Sequence, residues 1–392
     1  MLRVIHLNPT KYWRGGEQQT LYLAKYLKKH KVKQWVVGNP NSLLEVQCKQ
    51  NQISYKPIRI FGEIDFLAAY HLAKFIRENQ IQVIHCHTAK AHSIGLLAKK
   101  ILKAQKYSLL LIVSRRVDFS LKKSKIPFVN FFSNSKYFSK DVDHYIAISE
   151  NVKKILMIDG IPEDKISVIY SGVDLDRFKK KIPSDNIKEL KKEFKIEQHF
   201  VFGNIAALVD HKDHKTLLKA LFLLNQEKNL PPWKCIVVGD GPLYQELLSL
   251  KERFQLEDKV YFTGFRKDAF EFFSIFDVFV MSSKEEGLGT SLLDAMAYGL
   301  PIVATKGGGI PEIVQHDQGG LLSSIQEPEE LKNNLLEILK NKKLKKRFSE
   351  YNLKFVKKFS YQNTGKQTLK LYYRLLNSYT IEHEHNQSLS IQ

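Results

Sequence analysis

Short apolar runs alternate with longer amphipathic stretches along nearly the whole chain. The run LRVIHLN near the start ends in a glycine-bearing loop, WRGGEQQ, after which TLYLAKYLKK spaces its apolar positions as a helix does. This change of period, from strand-like to helical, recurs. QWVVGN, VIHCHT, LLLIVS and HYIAIS read as further strands, with FLAAYHLAKFIREN among the helices between them. A second series begins after Phe178, with FVFGNIAAL, KCIVVGD, KVYFTGF, VFVMSS and PIVATK as its strands. Strands that alternate with helices pair in parallel, joined by crossover helices. The pattern therefore predicts an α/β fold twice over. The segment SGVDLDRFKKKIPSDN, rich in Gly, Pro and charge, reads as the connection between the halves. Residues 1–175 and 176–375 are the expected domains, with the final helix packing back on the first. Residues 380–392 read as a polar, frayed tail.

Length agrees, since 392 residues exceed the size at which one core stops growing. With 43% hydrophobic and 26% charged residues, the composition is that of a globular protein. The apolar runs are far shorter than the roughly 20 residues of a membrane-spanning helix. Met1–Asn8 reads as a strand, not a signal peptide. A cytoplasmic location is expected. Cys48, Cys86 and Cys235 are too few and too scattered for a disulfide framework or a zinc site. Charge changes the picture. The net charge is +20, and residues 1–170 hold most of the excess, with 28 Lys and Arg against 12 Asp and Glu. Such a one-sided field attracts a polyanion: a nucleic acid, a phosphorylated small molecule or an anionic membrane.

The densest chemistry lies in SSKEEGLGTSLLDAMAYGLPIVATKGGGIPEIV, from Ser282 to Val314. It reads strand, glycine turn, helix, strand, glycine-rich turn. Gly287, Leu288 and Gly289 lead into a helix beginning near Thr290. Glycines let the backbone approach a ligand closely, and the first free amides of the helix suit a diphosphate. Glu286 precedes the turn and Asp294 lies eight residues later, so one carboxylate can serve a ligand's sugar end and the other its ribose end. Gly307-Gly308-Gly309-Ile310-Pro311-Glu312 closes the same edge of the sheet, where open α/β sheets bind ligands.

This segment resembles the motif of glycosyltransferase family 4, the glycosyl transferases of group 1. The family pattern of Glu, seven residues, Glu, then Ala-Met/Ala and Gly-Pro-Ile/Val-Val-Ala stands here as Glu286 through Asp294, Ala295-Met296-Ala297 and Gly299-Leu300-Pro301-Ile302-Val303-Ala304. Other landmarks recur in order over nearly the whole chain: Gly15-Gly16-Glu17, Val83-Ile84-His85-Cys86-His87, Ala147-Ile148-Ser149, Val168 through Asp174, Val238-Gly239-Asp240-Gly241-Pro242 and Thr263-Gly264-Phe265. The resemblance implies a GT-B fold: two facing Rossmann-like domains with a central cleft, an N-terminal acceptor-binding one and a C-terminal nucleotide-sugar-binding one. It also implies catalytic roles for Glu286, His87 and Lys212. Donor contacts fall on Gly15, Gly16, Gly241, Phe265, Gly287, Leu288, Gly289, Thr290 and Asp294. Where the family has Gly-Arg-Leu and a Lys five residues after the Arg, this chain has Ala206-Ala207-Leu208 and keeps Lys212. His211 and His214 read as surface residues.

Glu17, Arg115 and Arg116 are candidate acceptor contacts. Arg115–Lys140 mixes basic residues with Phe and Tyr, a composition suited to an anionic membrane surface or a lipid-linked acceptor. Asp141-Val142-Asp143 and Asp174-Leu175-Asp176 are too sparse for a metal site, and neither a metal nor any other cofactor is expected. The resulting expectation is a retaining, hexosyltransferase-like enzyme. It moves a sugar from a UDP- or GDP-sugar to a hydroxyl of a lipid-linked or surface-glycan acceptor, as in lipopolysaccharide biosynthesis, from a peripheral position on the inner face of the cell membrane. A catalytically silent sugar-nucleotide or glycan-binding protein is the alternative, motivated by Ala207 and Asp294. A basic nucleic-acid-binding protein is the more distant one, and nucleic acid is not an expected partner.

Overall fold

The computed structural model describes residues 1–117, 140–179 and 182–389, with residues 379–389 described by their backbone alone. The chain forms two compact units, Met1–Gly172 with Tyr361–Gln392, and Val173–Ser360.

The first unit holds seven strands: β1 (Arg3–Leu7), β2 (Lys33–Gly38), β3 (Tyr55–Pro57), β4 (Val83–Cys86), β5 (Leu110–Arg115), β6 (His144–Ala147) and β7 (Ile166–Val168). Their order is β3-β2-β1-β4-β5-β6-β7, and every pairing is parallel. The reversal of order falls between β1 and β4. Ligands of open α/β sheets bind at such a switch point, outside the strands' carboxyl ends. Polar side chains cap the helices where the sequence leaves a strand: Thr88 accepts from Ala91 N at 3.1 Å and Ser149 from Val152 N at 3.1 Å.

The second unit holds β8 (Phe200–Ile205), β9 (Trp233–Val238), β10 (Val260–Phe262), β11 (Val278–Met281), β12 (Ile302–Thr305) and β13 (Gly320–Ser323). The order is β10-β9-β8-β11-β12-β13, again all parallel, with its switch point between β8 and β11. Both sheets are covered by helices, and central strands such as β4, β9 and β11 are buried throughout; β11 is wholly apolar, whereas β4 and β9 bury His85 and Lys234 among apolar residues.

Two boundaries differ from the sequence reading. The chain returns to the first unit at Tyr361, not at residue 375. The cause is the helix Tyr361–Leu389, which places Leu371 and Tyr372 in one apolar cluster with Val4, Leu27, Val83 and Ile112. The expected frayed tail from residue 380 lies within this helix as far as Leu389. Where the first unit gives way to the second, Gln19 donates to Gly172 O at 2.6 Å and accepts from Gly172 N at 2.8 Å. Gly172 is required there because a Cβ would lie 2.5 Å from the Tyr361 Cα. The three cysteines are free and buried, and burial pushes the Cys235 thiol up to about 12.

Candidate active site

In the second unit, the candidate residues gather at the carboxyl ends of β8 and β11. After β8 the chain makes a 3-10 turn, Asp210–Lys212, and enters the helix His214–Asn225 through Asp213, which sits at φ 48° and caps Thr216. The Lys212 ammonium pairs with the Glu286 carboxylate. Both side chains are mostly covered, at 16% and 13% exposure. Ser283 Oγ adds a donor to the same carboxylate at 3.4 Å, and Ser282 Oγ donates to Lys212 O at 3.1 Å. The second glycine loop fixes the first, with Gly309 N donating to Glu286 O at 2.7 Å. Gly307 has no room for a side chain, since a Cβ would lie 2.2 Å from Ser283 O.

The helix Thr290–Ala297 begins immediately after this pair. Its N-cap is Gly289, at φ 87°, where a side chain would be strained. No side chain caps the helix and its first turn carries no acid, so its amides remain available to an anion. Leu288 is buried, so only its backbone can meet a ligand. Asp294 lies within the same helix, and burial raises its carboxyl to about 7 against the opposing pull of Arg177. Gly241 passes so close to the β8 loop that a Cβ would lie 2.4 Å from Leu208 O. Phe265 is 74% exposed, a face open to stacking.

In the first unit, Gly15 and Gly16 open the helix Gly15–Lys29. Glu17 is buried in the first turn of this helix: its carboxylate accepts from Arg14 N at 3.0 Å and from Asn8 Nδ2 at 3.2 Å. Arg116 Cδ lies 3.8 Å from where a Gly16 Cβ would be, and its guanidinium donates to Ser171 Oγ at 3.2 Å. Burial lowers the Arg116 group to about 10, with Glu17 resisting. It remains a cation at neutral pH. Its Nε is buried with no partner among the described residues.

At the end of β4, His87 belongs to a buried cluster with His6 and His85. The cluster follows from register, because β1 pairs with β4 so that His6 stands opposite His85, and residues two apart on a strand share a face. His6 Nδ1 lies 3.2 Å from His87 Nε2, and the His85 and His87 rings are 4.1 Å apart between centroids. His85 is held on both sides, by Tyr372 Oη at 2.6 Å and Ser114 Oγ at 2.7 Å. Burial, chiefly, lowers all three: His6 to about 4, the other two well below the usual range. One ligand nitrogen from each lies within 4.8 Å of the others, a donor set that could hold a metal ion. However, both His85 nitrogens already have partners, and Arg116 adds positive potential at His85 and His87.

Comparison with known proteins gives these residues of the two units a common context. Residues 185–355 match the family described as Glycosyl transferases group 1, and residues 13–177 match Glycosyltransferase Family 4. The chain belongs to this glycosyltransferase family. Among curated relatives, N-acetyl-alpha-D-glucosaminyl L-malate synthase of Bacillus anthracis is 24% identical over 73% of this chain and 72% of its own. The UDP-Gal:alpha-D-GlcNAc-diphosphoundecaprenol alpha-1,3-galactosyltransferase of Escherichia coli is 24% identical over 71% of this chain and 72% of its own. Among solved structures, HepE of Anabaena in complex with UDP and glucose superposes with a TM-score of 0.82 at 21% identity. That match covers 95% of this chain and all of HepE. The fold is GT-B, built from two parallel-sheet α/β domains.

Within this family 4 glycosyltransferase, the structure brings Lys212, Glu286 and the start of the Thr290–Ala297 helix together. Asp294 lies further along that helix, and Gly241 and Phe265 follow β9 and β10 at the same sheet edge. Two expectations are corrected. Arg115, a candidate acceptor contact, ends β5 and is buried at 5% exposure, while Arg116 follows the strand. His214 is buried, not a surface residue, with Nε2 3.1 Å from Asn204 Oδ1. The Asp-x-Asp pairs are engaged within the fold: Asp143 with Lys99, Asp141 with Lys103, Asp176 with Lys179. The basic-aromatic stretch from Arg115 to Lys140 lies outside the described residues over 118–139. Sequence reasoning missed His6 and Gln34. Only the pairing of the strands brings Gln34 to His6 and His6 to His87, although the His-x-His at a strand end was a partial signal.

Proposed function

We propose that this glycosyltransferase moves a sugar from a UDP- or GDP-sugar to a hydroxyl of a lipid-linked or surface-glycan acceptor, with retention of configuration and without a metal. The observation that carries the donor half is the Lys212–Glu286 pair beside an uncapped helix N-terminus. A diphosphate arriving there draws the ammonium away from Glu286. Lys212 and the amides of Gly289 and Thr290 then face the leaving phosphate, and the freed carboxylate accepts sugar hydroxyls. Such fixed charges stabilise the charge that develops as the glycosidic bond to phosphate breaks. The acceptor oxygen bonds to the anomeric carbon on the face the diphosphate leaves, and its proton passes to the leaving phosphate. No residue is assigned as a covalent nucleophile. UDP is the favoured base, because HepE binds UDP and the Escherichia coli relative is named for UDP-Gal.

The acceptor half of the proposal draws on that relative's diphosphoundecaprenol substrate and on the surface of the first unit. Phe61, Ile64, Phe66, Leu67 and Tyr70 are exposed by 77, 64, 65, 65 and 53%. Arg59 lies over the Phe61 ring at 6.0 Å and Lys90 reaches Phe61 O at 3.3 Å. Apolar rings among basic side chains suit the headgroup region of an anionic membrane. No helix among the described residues is long and apolar enough to cross a membrane, so the proposed contact is peripheral, on the inner face. The test is transfer from UDP-hexoses to undecaprenyl-diphosphate sugars in EDTA, with the anomeric configuration of the product read by NMR. Inversion would contradict the mechanism. A second reading, a silent glycan-binding relative, is favoured by the exposed Ala207 where the family carries an arginine; UDP binding without any turnover would select it.

A further inference from the structure

The positions of two protons in the first unit follow from groups that can only accept. Gln34, on β2, donates from Nε2 to the carbonyl oxygen of Ala24 at 2.5 Å. A carbonyl accepts and never donates, so this bond orients the amide and turns its oxygen toward His6. That oxygen lies 3.2 Å from His6 Nε2, which therefore carries the ring's proton. His6 is neutral, held there by burial, so its Nδ1 is a lone pair. The lone pair faces His87 Nε2 at 3.2 Å, and that nitrogen must be an N–H. His87 is neutral for the same reason, which leaves a lone pair on its Nδ1. This last nitrogen is buried and has no partner among the described residues, in a ring only 3% exposed. The relay ends in an acceptor that lacks a donor.

We propose that Gln34 is a positioning residue that, through His6, locks His87 in the Nε2–H tautomer and presents Nδ1 to a hydroxyl of the bound ligand. That the ligand is the donor sugar rests on the function proposed above; the tautomer does not. His87 then recognises an O–H and not a phosphate, whose oxygens would face a lone pair. The His85 ring, pinned by Tyr372 and Ser114, lies tilted with its centroid 4.1 Å from that of His87 and hinders the ring from turning. A site built to receive a hydroxyl discriminates strongly against a ligand that lacks it, because the buried acceptor is left unpaired.

The test is a long-range 1H–15N correlation spectrum of the histidine-labelled full chain near pH 7. The expected result is a protonated Nε2 and an unprotonated Nδ1 at His87 in the wild type. Gln34→Leu should lose this pattern, and Gln34→Glu should keep it as the neutral acid, whose hydroxyl donates to the Ala24 carbonyl while its carbonyl oxygen accepts from His6. A proton on Nδ1 of wild-type His87 overturns the relay. Zinc that shifts all three rings together at stoichiometric concentration also overturns it, in favour of a metal site. UDP-glucose, but not UDP, should then move the His87 Nδ1 resonance, and Gln34→Leu should raise the KM for UDP-glucose about tenfold while leaving UDP affinity unchanged. If UDP-glucose stabilises the protein against heat yet leaves Nδ1 unmoved, the hydroxyl contact is wrong. If neither ligand stabilises it, the donor assignment has failed, and the ligand-free spectrum still decides the relay.

Discussion

Lys212 and Glu286 neutralise each other before any ligand arrives, and this decides how each variant should behave. Lys212→Ala removes the cation that meets a diphosphate, and UDP affinity should fall about 10- to 100-fold by calorimetry. Glu286→Gln leaves Lys212 unopposed, so UDP should bind as well or better while sugar transfer falls. Asp294 gives a pH signature. Its carboxyl is raised from an ordinary value of 3.8 to about 7, so between these values the folded chain holds a proton that the unfolded chain releases. The stability this contributes is present below about pH 4 and is lost as pH rises through 7. Asp294→Asn should flatten that part of the stability profile in urea titrations. Ribose hydroxyls donate to the ionised form, so UDP binding should tighten toward pH 7 in the wild type and not in the variant. Glu286 and Asp294 were legible in the sequence because they flank one glycine turn, and Lys212 because its segment resembles the family pattern. His6 and Gln34 were not, because the contacts of Gln34 with His6 and of His6 with His87 are created by strands far apart in the chain.

At the scale of elements, the strands were the most legible part. Both sheets are parallel and covered on both faces, so their central strands are mostly apolar, and polar caps such as Thr88 and Ser149 mark where helices begin. The helix Tyr361–Leu389 was less legible. Its polar second half hides a helical segment, and the contacts that assign its first half to the first unit are with residues far back in the chain, from Leu2 to Gly172. Gly172 is the hinge of that assignment in sequence terms. Gly172→Ala would press a methyl group against the Tyr361 backbone, with an expected cost of about 1–3 kcal/mol in chemical denaturation. Limited proteolysis should then cut the C-terminal helix sooner than in the wild type. An unchanged melt and digestion pattern would show that the backbone relaxes there without penalty.

At the scale of the molecule, the charge of +20 and the exposed apolar residues around Phe61 point to the same kind of surface. Phe61→Ser with Phe66→Ser should lower co-sedimentation with phosphatidylglycerol vesicles several-fold, with UDP affinity unchanged. Raising the salt should weaken the wild-type association as well, because the basic component is screened. The two-domain organisation was readable from the two strand series, but the surface patch was not. A sequence shows that residues are apolar, not that the fold leaves them uncovered. The central claim is that the second unit is a metal-free nucleotide-sugar site. Calorimetric titration of UDP in EDTA tests it most directly, with wild type and Lys212→Ala measured side by side. The account predicts saturable binding to the wild type that is weakened at least tenfold in the variant. Equal binding by the two proteins, or no binding to a folded wild type, would contradict it.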